Sequence, residues 1–443
     1  KIIIKSLCNF RDSKDSRELM LKQMLYEIQI LYNKTLYNTC QKIIAKAKKM
    51  AEETEQFVML CELLDWERKV FLAYEENLTN RKKLQAISLA HLTALEKQRN
   101  VVMFREIYEH FFIVATQTRS IRDTQKIKSL RKAMRHRLLS HPEKALTFRS
   151  KMTFYMTYCL YHNLIGNNQQ AYEQYKNLVT LFELKENHIH IKTYKQFYYD
   201  ALCGLNAEEA ILGKEDEFNS TFRKLCIFLE RIPELKQYNF PIMYISRSMF
   251  IYKIGNFHET PLLVEDFESE FAVFKGKITK GNLLALCFNF SYLYIGYQDY
   301  KNALHWINKI LNDSSQKEFR NDIYCSARIL NLIIHYELGN DELLEPLIRS
   351  TSRYLLKRER MYKFEDSILK FMRTQLPKVN AHSDLIEAFK GLHKELVQLS
   401  KDFFERKFLD DFDFISWLES KIENRPFAEI VREKAKQSAN VSI

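Results

Sequence analysis

The sequence predicts an all-α protein, a right-handed α-solenoid of antiparallel helical hairpins. Three observations carry that expectation. First, five of the nine glycines, Gly166, Gly213, Gly255, Gly296 and Gly339, recur at intervals of 47, 42, 41 and 43 residues, each just after an apolar residue. Glycine enters the left-handed region without a Cβ clash, so it marks places where a helix stops and the chain turns. A stop signal with a period of about 40 residues is the mark of stacked two-helix units. Second, 443 residues contain only nine Gly and seven Pro, against roughly 7% and about 5% in ordinary proteins. Strand-rich folds need frequent turns, and turns need these residues. Third, apolar residues recur at helical spacing almost end to end.

The elements follow in order. Leu21, Met24, Leu25, Ile28 and Leu31 share one face of a first helix, and Cys40, Ile43, Ile44 and Ala47 one face of a second. Tyr37 and Cys40 follow the turn between them. A long helix is expected from about Glu55 to Tyr74. Residues 81–116 read as one very long helix, or as two with a break near Arg99-Asn100. Ser140-His141-Pro142-Glu143 places Ser at a cap, Pro in the first turn and Glu three residues on. It predicts a helix reaching Ile165. Pro233 and Pro261 mark later helix starts, where a missing N–H costs least. Regular units are expected over 141–185, 188–231, 233–275, 278–314 and 317–361. Beyond them come a helix over 381–404, a loop at Phe408–Phe414 and a short final helix, with a frayed polar end from Lys434. This divides the chain into N-terminal helical repeats (1–140), regular hairpins (141–361) and a capping region (362–443).

Composition bounds the function. The net charge is +12, from 68 Lys+Arg against 56 Asp+Glu, which favours acidic partners but is weaker than a dedicated nucleic-acid binder shows. Hydrophobic residues at 46% argue against a disordered chain. Eight cysteines are scattered singly without a Cys-x-x-Cys pair, which fits a reducing, cytoplasmic compartment. The most apolar stretch, Leu283 to Tyr297, is interrupted by Asn289, Ser291 and Gly296 and is too short to span a bilayer. The sequence opens on Lys1 rather than Met, which leaves room for an upstream segment.

The turn regions resemble tetratricopeptide repeats. That family places Gly, an aromatic two residues on and a small residue three further. Gly255-Asn256-Phe257-His258-Glu259-Thr260 fits this order. Tyr300-Lys301-Asn302-Ala303 fits with its Gly displaced two residues upstream, and Gly166 with Ala171 lacks the aromatic. The small residue midway along the first helix corresponds to Cys159, Ser248 and Ser291, preceded by Tyr155, Tyr244 and, less well, Cys287. The resemblance covers residues 15–50 and 141–361 and implies a superhelix with a groove lined by first helices. The units are longer than the family's 34 residues or so. Some family members grip a peptide carboxylate with Lys and Asn in that groove. The matching positions here are Thr153, Met156, Leu160 and Asn163, then Ile242, Ile245, Met249 and Tyr252. Being mostly apolar, they argue against a carboxylate clamp and for an apolar groove or one filled by a neighbouring segment.

Five constellations compete with plainer structural readings. Arg119, Arg122, Lys126, Lys128, Arg131, Lys132, Arg135 and Arg137 form a basic stripe with one acid, Asp123, while Ile127, Leu130, Ala133 and Met134 offer a buried face. The stripe suits phosphates of RNA or DNA or an acidic protein, or is simply a solvated face or a set of intramolecular partners for acidic helices. A thinner stripe runs through Arg349, Arg353, Lys357 and Arg360, with Glu359 and Glu365 nearby. His188 and His190 form the only close histidine pair but lack a neighbouring third ligand. Asp410, Asp411 and Asp413 lack the spacing of a Ca²⁺ loop and read as helix caps. Aromatic rows such as Phe154, Tyr155, Tyr158 and Tyr161, and Phe288, Phe290, Tyr292 and Tyr294, suit base stacking or, more simply, interhelix packing. Phosphate-binding loops, dinucleotide fingerprints, nucleophile elbows and zinc-protease motifs are absent from the sequence.

The expectation is a non-catalytic scaffold with no cofactor or metal, binding a peptide or helix of another protein in a groove that includes Met156, Leu160, Asn163, Ile245, Met249 and Tyr252. One alternative is association with RNA or the ribosome through the 119–137 stripe. Another is a ligand-gated regulator whose N-terminal effector domain lies upstream.

Overall fold

The computed structural model describes residues 17–74, 80–117, 124–313, 320–378, 381–406, 409 and 411–441. Arg119 and Arg122 of the basic stripe, Cys8 and Asp410 lie outside the described residues. Among the described residues every regular element is helical. In chain order these are α1 (Arg17–Asn33), α2 (Tyr37–Glu53), α3 (Phe57–Leu72), α4 (Arg81–Gln117), α5 (Thr124–Ala133), α6 (Phe148–Ile165) and α7 (Asn168–Glu183). There follow α8 (His188–Thr193), α9 (Lys195–Ile211), α10 (Glu215–Glu230), α11 (Pro233–Ile254), α12 (Thr260–Phe274), α13 (Lys280–Gly296) and α14 (Tyr300–Leu311). The last are α15 (Asn321–Glu337), α16 (Asp341–Lys357), α17 (Lys363–Lys370), α18 (His382–Leu399), α19 (Phe403–Arg406), α20 (Phe414–Glu423) and α21 (Phe427–Val441). Short 3₁₀ and π turns join several of them.

The chain packs as two compact units. One takes Lys1–Phe112, Arg131–Tyr158 and Asn177–Tyr198; the other takes Ile113–Leu130, Cys159–Lys176 and Tyr199–Ile443. In the first, α1 packs on α2 and α2 on α3. Leu21, Ile28, Cys40, Ile44, Phe57 and Leu63 form their core, which extends to Ile87, Ala94 and Val101 of α4. In the second, α10 packs on α11, α13 on α14, α14 on α15 and α15 on α16, and α11, α13 and α15 also pack in succession.

A single register underlies the repeats. Gly166, Gly213, Gly255 and Gly339 have φ between 68° and 75°, and Thr35 and Gln298 adopt φ of 58° and 65° at the equivalent turns. At each turn the N–H of the next residue donates to the carbonyl five residues earlier: Leu36 to Leu31, Asn167 to His162, Lys214 to Glu209, Asn256 to Ile251, Asp299 to Tyr294 and Asn340 to His335. This is the closure that satisfies carbonyls left open at a helix end. Counting seven residues back from the left-handed residue gives Ile28, Cys159, Asn206, Ser248, Ser291 and Leu332. Counting five forward gives Cys40, Ala171, Phe218, Thr260, Ala303 and Leu344. All twelve are buried. In three units the two positions bond directly: the Cys40 thiol donates to the Ile28 carbonyl at 3.7 Å, Asn206 Nδ2 to the Phe218 carbonyl at 2.9 Å, and Ser291 Oγ to the Ala303 carbonyl at 2.9 Å.

Several expectations need correction. Gly296 is not the turn residue of its unit; Gln298 is. Gly296 ends α13, and a Cβ there would meet the Phe257 ring at 2.2 Å, so close packing rather than backbone freedom requires it. Ser140 does not cap α6, which begins at Phe148. Its hydroxyl bonds back to the Arg137 carbonyl. The open N–H groups of α6 are met by the Glu55 carboxylate, which accepts from Phe148 at 2.5 Å and Arg149 at 2.9 Å, and by Thr147 Oγ, which accepts from Ser150. α4 is one unbroken helix of 37 residues. Its Asn100 side chain is held by the Lys144 carbonyl and the Leu146 N–H. Two helices, not one, end the chain, and α21 runs on through Val441 instead of fraying at Lys434.

Gly255 tests the register. Its φ is 75°, and a Cβ would meet the Arg432 backbone nitrogen at 2.8 Å; Gly213 has φ of 68° with open space around it. Gly213→Ala should cost about 1 kcal/mol, the left-handed penalty alone. Gly255→Ala should cost about 1–3 kcal/mol more, because backbone must shift. Urea midpoints of the two variants, compared with the parent chain, measure the difference.

Candidate functional site

Two surfaces are candidates. The first is the basic helix α5. Its Ile127 and Leu130 are buried, and Ala133 and the following Met134 are half-buried, as the spacing predicts. Lys126 and Lys128 are exposed in the second unit; Arg131, Lys132, Arg135 and Arg137 are exposed in the first. Among the described residues no carboxylate forms an ion pair with Lys128, Arg131, Lys132 or Arg135. In the first unit, therefore, cations project into solvent from a helix end whose apolar side is anchored. The thinner stripe differs: Arg349 pairs with Glu345 at 3.5 Å, and Arg353 Nε donates to the Arg349 carbonyl.

The second surface is the face of the first helices in the second unit, and here the C-terminal region has settled. α21 packs on α11, α18 on α20 and α20 on α21. The Tyr292 ring stacks on Tyr252 at 4.7 Å and meets Phe412 at 4.7 Å and Phe427 at 6.3 Å. Trp417 Nε1 donates to Glu337 at 2.6 Å, and Lys421 forms an ion pair with the same carboxylate. Ser326 Oγ donates to Asp411 at 2.5 Å, and Arg432 donates to the Gly255 carbonyl at 3.2 Å. Of the groove candidates, Tyr252 is thus covered by an aromatic stack. Met249 is buried with Ala210, Phe218 and Phe250, and Ile245 packs at the border of that cluster. On α6, Met156, Leu160 and Asn163 are half-buried. Asn163 Nδ2 donates to Tyr175 at 3.1 Å, while its buried Oδ1 has no hydrogen-bond partner among the described residues.

The remaining constellations make contacts within the fold. His190 stacks on Phe148 at 4.1 Å, with burial lowering its pKa, and His188 contacts the Glu183 carbonyl. Asp413 caps α20, accepting from the Ser416 N–H at 2.9 Å. No group of three metal-ligating side chains gathers among the described residues. Phe288, Phe290, Tyr292 and Tyr294 are buried between helices. A cleft of about 300 Å³ is lined by Phe222, Met243, Tyr244 and Leu263. The Arg247–Glu259 ion pair, at 2.6 Å, lies on its wall. Among the described residues no helix is long and apolar enough to cross a membrane.

One group was invisible to sequence reasoning. Glu209 of α9 is buried beneath α10, where Thr221 Oγ donates to it at 3.0 Å and Asn206 Nδ2 approaches at 3.5 Å; Ser246 donates to Asn206 Oδ1 at 2.6 Å. Desolvation pushes its carboxyl up to about 7 against the pull of those donors. Such a value suits acid–base chemistry, but Glu209 is only 3% exposed and its bonds close on the repeat core.

No known family, curated protein or solved structure matches this chain.

Because the Glu209 carboxyl holds its proton more tightly folded than unfolded, its contribution to stability is full below about 4.5 and is lost as pH rises through about 7. Glu209→Gln keeps an acceptor for Thr221 and removes the charge. The variant should be flatter across that window and more stable than the parent at pH 8 by about 1–3 kcal/mol. Urea unfolding at a series of pH values reads both slopes; parallel curves would show that the charge is not penalised there.

Proposed function

We propose that this chain is a non-catalytic scaffold of the tetratricopeptide-like kind, a right-handed solenoid of antiparallel hairpins that binds a peptide or helix of another protein. One observation carries the reading. The first-helix face of the second unit holds a helix, α21, through the Phe427 ring against Tyr292 and Phe257 and the Arg432 hydrogen bond to the Gly255 carbonyl, and beside it Lys421 of α20 pairs with Glu337 of α15. A face that accepts one helix in this way is built for helix-in-groove recognition. The repeat register supports the same conclusion by analogy with other helical arrays. Leu160 and Asn163, partly exposed on α6, are the positions best suited to an external segment. The scattered free thiols suit a reducing cytoplasm.

The exposed cations of the first unit favour a second reading, contact with RNA phosphates through Arg131, Lys132 and Arg135. The net charge of +12 supports it.

The two readings separate experimentally. Under the scaffold reading, immobilised full chain retains a protein in equimolar amount at physiological salt. Leu160→Asp abolishes that retention while circular dichroism is unchanged; no stoichiometric protein, or retention indifferent to the substitution, overturns it. Under the RNA reading, filter binding across a salt series gives a steep slope, and the Arg131→Glu, Arg135→Glu double variant reduces that slope by about 2. Absence of binding at low salt ends that reading.

A further inference from the structure

The long helix α4 presents an unusual outer face. Its inner residues Ile87, Ala94, Val101 and Phe104 are buried, whereas Leu89, Leu92, Leu95 and Val102 are 67%, 65%, 49% and 39% exposed. Single exposed apolar residues are ordinary, but leucines in consecutive turns of one helix form a patch that marks an association surface. The patch belongs to a longer row. Arg81, Gln85, Ser88, Leu92, Leu95, Arg99, Val102 and Glu106 follow one another at alternating steps of four and three residues. That is the spacing of a coiled-coil seam. All lie within the first unit.

The charges along this row choose the occupant. Arg81 stands at one end and Glu106 at the other, both exposed, and neither forms an ion pair among the described residues. A second α4 laid parallel and in register would oppose Arg81 to Arg81 and Glu106 to Glu106. Laid antiparallel about a two-fold axis between Thr93 and Ala94, it sets Leu92 against Leu95 twice at the centre. The same register sets Arg81 against Glu106 at both ends and Arg99 against Ser88. A self-complementary row of this kind is what an isologous two-fold interface requires. The Ser88 hydroxyl, which accepts a hydrogen bond from Arg68, is only half-buried and sits beside this contact. We propose that the partner of this face is a second copy of the chain, so that two protomers dimerise through antiparallel pairing of α4 over residues 81–106.

Sedimentation of the full chain over a concentration series tests the proposal. The parent chain should sediment as a reversible dimer, and Leu92→Glu with Leu95→Glu should leave a monomer whose circular dichroism is unchanged, since both positions face solvent in the single protomer, and whose melting no longer depends on concentration. Arg81→Glu alone and Glu106→Arg alone should each weaken the dimer by about tenfold through like-charge opposition. The double variant, which restores opposite charges in the antiparallel register, should recover the parent affinity. A monomer at every concentration overturns the proposal. A dimer indifferent to the leucine substitutions does so too, because it is built elsewhere. A leucine-dependent dimer whose double charge variant fails to recover overturns the antiparallel register.

Discussion

The repeated turn closure is the constraint on which the rest depends. One backbone N–H, donated across a left-handed residue to a carbonyl five positions back, ends each first helix. A single hydrogen bond of this kind contributes about 0.5–1.5 kcal/mol. Its larger effect is geometric, because it sets which residues of the two joined helices can face each other. The positions seven before and five after the turn become the buried pair, whatever occupies them. Six units fill these positions with Ile and Cys, Cys and Ala, Asn and Phe, Ser and Thr, Ser and Ala, or Leu and Leu. Where a polar side chain enters, it is bonded within the repeat: Asn206 and Ser291 bond the carbonyl across the turn, and Ser248 the Tyr244 carbonyl of its own helix. Burying such groups without a partner costs more than the bond returns.

Close packing at the turns explains how the C-terminal helices find their place. Gly255 leaves room for the α21 backbone, and the aromatic two residues later, Phe257, reaches both Gly296 and Phe427. Tyr292 then acts as the centre of a cluster in which Tyr252, Phe257, Phe412 and Phe427 converge. Its hydroxyl is fully desolvated, which raises its pKa well above the ordinary value, and it accepts from the Asp413 N–H at 3.3 Å. Around this apolar centre the polar contacts are peripheral, as Glu337 shows by receiving both Trp417 and Lys421. Apolar burial provides the attachment; the charges orient it.

Helical class, the turn glycines and the aromatic packing were legible in the sequence because each depends on local chemistry. The displaced turn at 298 was legible as well: Tyr300 and Ala303 keep their order relative to Gln298, not to Gly296. What escaped depends on contacts distant along the chain. The cap of α6 comes from Glu55, more than ninety residues away, while the local Ser-His-Pro-Glu pattern imitates a cap that is not used. The role of Gly296 is dictated by a ring 39 positions earlier. Thr35 could not be recognised as a turn residue by type, since a β-branched side chain at positive φ contradicts local preference. The same closure bond holds it there. Of the candidate site, the exposure of the α5 cations followed from spacing, and the covering of Tyr252 is the filled-groove alternative of the sequence, whose occupant, the C-terminal region, local pattern did not name.

The covered face also bears on what kind of partner such a chain can take. A surface lined by Tyr252 and Tyr292 of the first helices and by Phe257 of the turn after α11 offers apolar area with few charges, and its present occupant answers with Phe412, Phe427 and Trp417. Recognition of this sort is carried by a few aromatic anchors seated in desolvated contacts, with ion pairs at the margin. The same division recurs on the opposite kind of surface: Lys128, Arg131 and Lys132 of α5 stand over a buried apolar side and form no ion pair with a carboxylate among the described residues. The two faces therefore select by different physics. One is largely indifferent to salt and specific for shape; the other is weakened by salt and specific for charge.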